Sequence, residues 1–99
     1  MDKIYRVTYI LNGTTERTDD FVQSLDNPYY RHTLNGFRSA TMADNSTERA
    51  LAAIRDKFDG VWGFDPNAVE IKSIITGHVE YKTRPTVKFA APKPVFVAD

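Results

Sequence analysis

Asn45-Ser46-Thr47-Glu48-Arg49-Ala50-Leu51-Ala52-Ala53-Ile54-Arg55-Asp56-Lys57-Phe58-Asp59-Gly60 is the one stretch of this chain in which helical period, start signal and stop signal agree. Asn45 with Glu48 three residues on is a capping-box pattern, in which the Asn side chain accepts the backbone N–H of residue 48 and the Glu reaches back; Ser46 is an equally good cap. Ala50, Leu51, Ile54 and Phe58 recur on one stripe, while Glu48, Arg49, Arg55, Asp56 and Asp59 fall elsewhere. Gly60 supplies the left-handed position that closes such a helix without a Cβ penalty. The spacing predicts one main helix over about 46–59. A helix of this length is marginal alone in water, so its apolar stripe has to lie on a sheet built from the flanking chain.

Working outward, Phe37 to Ala43 alternates weakly and leads into the helix as a strand. On the other side, Val61-Trp62-Gly63-Phe64-Asp65-Pro66-Asn67 reads as a loop with two large aromatics around a glycine. Val69 to Ile75 is a second strand, with Val69, Ile71 and Ile75 on one face. Strand, helix and strand in that order predict a right-handed crossover with the two strands parallel. Lys3 to Leu11 is a third strand: Tyr5, Val7, Tyr9 and Leu11 face the helix, and Ile4, Arg6, Thr8 and Ile10 form a half-solvated face. Slotted between the other two and antiparallel to both, it gives a split β-α-β sheet. That arrangement resembles half of a ferredoxin-like fold in architecture, which implies no function.

Asn12-Gly13 is a strong hairpin signal, because both residues tolerate positive φ, and Thr14 to Thr18 would return as a short polar edge strand. Asp19 to Leu25 predicts a short helix over about 19–26, with Thr18 as cap, two Asp in the first turn, Phe21, Val22 and Leu25 on one face, and Asn27-Pro28 as the stop. Gly77-His78 reads as a turn, Val79 to Lys82 as a further short strand, and Arg84 to Phe89 as an extended edge. Pro92 and Pro94 then favour polyproline II ahead of the apolar Val95-Phe96-Val97. The expected fold class is α+β: a small antiparallel or mixed sheet of three to five strands with the main helix on one face. One domain spans 1–84, followed by an extended Pro-containing tail over 85–99 that is free or docked.

Ninety-nine residues make one domain. No apolar run approaches the roughly 20 residues of a bilayer span, and the start, Met-Asp-Lys-Ile-Tyr-Arg, lacks the basic-then-apolar pattern of a signal peptide, so a cytoplasmic location is expected. The absence of cysteine removes disulfides, thiolate zinc sites, iron–sulfur clusters and cysteine nucleophiles. Thirteen basic residues balance thirteen acidic ones, whereas a dedicated duplex or structured-RNA binder usually carries a basic excess.

Catalytic patterns are weak. His32 and His78 stand isolated, without metal-ligand spacing; Asp19-Asp20 near Asp26 lacks the alternating ligands and central glycine of a calcium loop; no serine lies in a nucleophile motif; and the five glycines fall singly at turns. No enzyme, metal or cofactor is expected.

Binding features are more informative. Tyr29-Tyr30-Arg31 places residue types enriched at interface hot spots in a loop, weighed evenly against a reading in which one Tyr packs under the short helix. Trp62 and Phe64 flank Gly63 so that both can meet a partner; their competing role, capping the core beneath Phe58, is favoured by the area such rings bury. Phe89, Val95 and Phe96 belong to a tail that could add a strand or fill a groove, or dock on the protein's own sheet. The reading that fits best is a non-catalytic module that occludes or bridges a protein partner. Its small size, charge balance and lack of targeting signals are shared by many bacteriophage-encoded proteins, including inhibitors of host machinery. A second reading is nucleic-acid binding, with Tyr29, Tyr30 and Arg31 stacking on bases and Arg38, Lys82, Arg84 and Lys88 on phosphates. A third is homo-oligomeric assembly through a sheet edge or the tail.

Overall fold

The computed structural model describes residues 3–27, 29, 40–82 and 93–99. Among the described residues, the strands β1 (Ile4–Leu11), β2 (Thr15–Val22), β3 (Val69–Lys82) and β4 (Lys93–Ala98) form an antiparallel sheet in the order β2-β1-β3-β4, and the helix α1 (Thr47–Lys57) covers a face of it. None of the described helices is long and apolar enough to cross a membrane.

The β1–β2 hairpin forms where Asn12-Gly13 directs it. Asn12 and Gly13 both hold positive φ, 52° and 72°, and the Thr14 N–H donates to the Leu11 carbonyl at 3.2 Å. β2 runs on through Asp19, Asp20, Phe21 and Val22, so these residues are strand and the short helix expected over 19–26 does not form there. The cause is the partner strand. Asp20 lies opposite Arg6 and takes its guanidinium in a two-pronged pair, 2.8 and 3.0 Å, while Asp19 lies opposite Val7 on the other face. Period-two alternation also separates Phe21 and Val22, which fill two different clusters, and Leu25, in the turn beyond β2, is exposed.

β1 has β2 on one side and β3 on the other, so no strand at 37–43 lies beside it. Residues 37–39 lie outside the described residues; of the remainder, Thr41 makes a single parallel bridge to Val22, and the Met42 N–H donates to the Val22 carbonyl at 3.1 Å. Ala40 and Met42 are nevertheless buried in the core.

β3 is one continuous strand in place of the two short ones joined by a turn at Gly77-His78. A Cβ at Gly77 would lie 2.4 Å from the Phe96 ring and 2.5 Å from the Val97 carbonyl, so this glycine serves a close approach of β4 and makes no turn. Register slips by one residue between Thr8 and Tyr9, where β3 passes from Ser73 to Ile71. That bulge switches the phase of alternation. Val69, Ile71 and Ile74 therefore pack toward the helix, and Ile75, predicted to join them, is exposed.

α1 is capped by Ser46, whose Oγ accepts the Arg49 N–H at 3.2 Å, and Asp44 in turn accepts the Ser46 N–H at 2.9 Å. Asn45 therefore lies one residue outside the cap. The buried stripe is Ala50, Ala53, Ile54, Lys57 and Phe58, rotated slightly from the predicted one, with Leu51 at its margin. Beneath it lie Tyr5, Val7, Tyr9, Phe21 and Met42. A second cluster on the opposite sheet face joins Ile4, Val22 and Tyr29, with Val79 and Phe96 against it.

β4 docks the end of the chain on β3, placing Val97 opposite His78 and Phe96 opposite Val79. His78 ties the two together: Nδ1 is 2.8 Å from Asp99 and Nε2 3.3 Å from Glu80, and these two carboxylates raise the imidazole pKa above its ordinary value. Of the tail over 85–99, the stretch 85–92 lies outside the described residues.

Candidate functional site

The connection from α1 to β3 leaves the helix through two successive tight reversals. Phe58 ends α1 and its carbonyl accepts the Val61 N–H at 3.0 Å, across Asp59 and Gly60; the Val61 carbonyl then accepts the Phe64 N–H at 3.3 Å, across Trp62 and Gly63. Each reversal carries a glycine at its third position with positive φ, 78° at Gly60 and 83° at Gly63, the requirement of a type II turn. Trp62 thereby occupies the second position of the outer turn, its apex.

Two elements hold this loop, and contacts of its own complete the fastening. From the β1–β2 hairpin, the Asn12 side chain donates to the Gly63 carbonyl at 2.9 Å and accepts the Asp65 N–H at 3.1 Å. From α1, Arg55 Nε donates to the Pro66 carbonyl at 2.8 Å. Within the loop, Asp65 caps the Asn67 N–H at 2.9 Å, and the Phe64 ring stacks on Phe58 at 5.4 Å between centroids. Asn12 therefore does two jobs: its tolerance of positive φ makes the hairpin turn, and its amide fastens the aromatic loop 51 residues away in sequence.

The two aromatics of the loop part company. Phe64 is partly buried as an extension of the core, whereas Trp62 is 98% exposed. A large, amphipathic ring at the apex of a fastened turn has the placement an interface anchor requires, with the ordering cost of the loop backbone already met by the fold. Next to it, Arg55, Asp56, Asp59, Gly60, Val61, Phe64 and Pro66 line an open depression of about 440 Å³.

The other predicted binding residues are placed differently. Tyr29 is buried in the second cluster, where its hydroxyl donates to Asp20 at 2.7 Å; burial and this carboxylate push its pKa up to about 12. It is a core residue, unavailable for stacking. Val95 and Phe96 are half-buried in β4, and the Phe96 ring lies under the Arg6 guanidinium at 4.2 Å. Tyr30, Arg31 and Phe89 lie outside the described residues, as do Arg38, Arg84 and Lys88.

Sequence reading missed the polar core around Asp19. Its carboxylate accepts from the buried Tyr9 hydroxyl and pairs with Lys57 Nζ at 3.0 Å, with Arg17 at 3.8 Å. Burial works to raise the Asp19 pKa, but the Tyr9 and Lys57 hydrogen bonds overcome it and hold the carboxyl below its ordinary value. Burial and the same carboxylate drive the Tyr9 pKa well up. Lys57 falls on the Ala50–Ala53–Ile54 stripe, so its burial was legible in the helical period; its acidic partner was not. The Tyr9 hydroxyl and the Lys57 ammonium both meet the same Asp19 oxygen, and among the described residues no buried side-chain oxygen or nitrogen lacks a hydrogen-bond partner, which is the arrangement of a structural pair. Among the described residues no group of three His, Asp or Glu side chains converges as a metal site. Compared with known proteins, the chain matches no protein-family model, no curated protein and no solved structure.

Proposed function

We propose that this protein is a small non-catalytic binding module that engages a protein partner through the Trp62 loop, occluding or bridging it. The observation that carries the reading is the combination of near-complete exposure of Trp62 with a turn fixed by Asn12, Arg55 and two glycines. Solvent contact of a lone apolar side chain is common; anchoring the loop beneath it from two separate elements is a further investment that favours presentation. The scaffold is read as a split β-α-β unit, β2–α1–β3 with β1 between the strands. A cytoplasmic setting, and an origin among phage-encoded inhibitors of host machinery, belong to the same proposal and rest on size and charge balance.

The test is affinity capture from extract of the native host, with nuclease treatment, comparing the full chain with Trp62→Ala. We expect specific partners to be lost with Trp62→Ala while the melting temperature is unchanged. An unaltered partner set would contradict the assignment to this loop, and partners lost only on nuclease treatment would favour the nucleic-acid reading. Truncation before the tail is a poor substitute, because it removes β4 from the sheet.

A further inference from the structure

We propose that Asn12-Gly13 is a site of spontaneous deamidation, held unreactive by the same contacts that fasten the Trp62 loop, so that its conversion releases the loop irreversibly. This chemistry belongs to the chain itself and is independent of what the loop binds. The Gly13 backbone nitrogen attacks Asn12 Cγ: an N–Cγ bond forms and the Cγ–Nδ2 bond breaks. The Gly13 amide proton passes by way of solvent to the departing Nδ2, which leaves as ammonia, and a five-membered succinimide is closed. Water then opens the ring at either carbonyl, giving aspartate or isoaspartate at position 12. Nothing is oxidised or reduced, and water is the only co-reactant. Glycine after asparagine favours this attack, because no Cβ stands beside the attacking nitrogen. Asn12 and Gly13 both lie exposed at the hairpin tip, open to that solvent.

The native turn holds the reaction off in two ways. Ring closure needs the Gly13 nitrogen nearly eclipsed with Cβ about the Cα–C bond of Asn12. The Thr14 N–H to Leu11 carbonyl bond, spanning two residues of positive φ, defines a type I′ turn, whose first central residue has ψ of about +30°. That sets the Gly13 nitrogen almost anti to the Asn12 Cβ, the reverse of what the attack requires. The amide is also tethered. Cγ cannot swing toward Gly13 without giving up both the Nδ2 bond to the Gly63 carbonyl at 2.9 Å and the Oδ1 bond from the Asp65 N–H at 3.1 Å. Reaction therefore proceeds from the opened turn, at a rate set by how often the loop lets go. Neither product closes the clamp again. Aspartate keeps an acceptor for the Asp65 N–H but has no donor for the Gly63 carbonyl, and isoaspartate routes the backbone through Cβ, an extra methylene that breaks the turn geometry.

The test ages the full chain in mildly alkaline buffer, with and without guanidinium chloride, and follows conversion at each asparagine by peptide mapping and mass spectrometry. In denaturant Asn12 should convert as fast as Asn35, which belongs to the other Leu-Asn-Gly of the chain, and in the native protein roughly ten-fold more slowly. Two variants loosen the loop without touching Asn12. Gly63→Ala sets a Cβ at a φ of 83° and strains the outer turn, with no atom within 4 Å to clash; Arg55→Ala, a change at an exposed position, removes the bond to the Pro66 carbonyl. Each should raise the native Asn12 rate roughly three-fold or more while circular dichroism shows the sheet intact. Aged native protein, separated by its added negative charge, should show Trp62 anisotropy decaying faster than in fresh protein. Absence of conversion at Asn12 in denaturant, a native rate equal to the denatured one, a rate unmoved in either folded variant, or a converted protein with Trp62 restrained as before would each overturn the assignment.

Discussion

Gly77 shows how far a single residue can be committed by its neighbours. Its φ is not in the left-handed region, so conformational freedom is not the reason for glycine; the reason is that β4 approaches until a Cβ would meet the Phe96 ring and the Val97 carbonyl. Gly77→Ala should cost about 1–3 kcal/mol in urea unfolding. Adding Phe96→Ala should restore only part of that, because the ring can be removed while the backbone carbonyl at 2.5 Å remains. Asp19 is committed differently. Removing its charge leaves Lys57 buried beneath the helix, so Asp19→Asn should lower stability at neutral pH by about 3 kcal/mol. The carboxyl is held below its ordinary pKa, so its contribution is present above the unfolded-state value of about 3.9 and disappears as pH falls through the lower folded value. The stability gap between wild type and Asp19→Asn should therefore be constant from pH 7 to about 4 and close on further acidification; a gap that widened there would contradict the pairing.

At the scale of elements, the parts whose determinants are local were legible in the sequence. α1 announces itself by stripe, cap and terminal glycine, and the hairpin by Asn12-Gly13. What failed was whatever a distant strand decides. Asp19-Asp20 looks like the acidic first turn of a helix until Arg6 and Lys57 claim one carboxylate on each face of the sheet. The bulge opposite Thr8 and Tyr9 transfers the apolar role from Ile75 to Ile74, and nothing in the local sequence marks the extra residue. In the candidate site, the loop and its aromatics were readable, but the favoured reading, in which both rings cap the core, holds for Phe64 and fails for Trp62, and the Asn12 clamp on the loop spans 51 residues. Asn12→Gly isolates that link, since glycine accepts the positive φ at this turn and only the amide is lost. The variant should keep its unfolding free energy within about 1 kcal/mol while the fluorescence anisotropy of Trp62 decays faster than overall tumbling. An anisotropy decay identical to wild type would show that the clamp does not restrain the loop.

Across the whole molecule, the polar interactions divide into those that seal the fold and those that aim the loop. Arg6–Asp20–Tyr29 and Tyr9–Asp19–Lys57 lie on opposite faces of β1 and β2 and satisfy their members internally. Asn12 and Arg55 bring the hairpin and the helix to the loop that leads into β3, so two elements of the fold converge on the loop that carries Trp62. The central claim is that this convergence presents the residue to solvent. Trp62 is the sole tryptophan of the chain, so its fluorescence reports on that residue alone. Acrylamide quenching of the native protein, compared with the same protein in urea, measures its accessibility directly. The account predicts a native quenching constant close to that of the unfolded chain, with emission already at the position of indole in water; a strongly protected, blue-shifted tryptophan would contradict it.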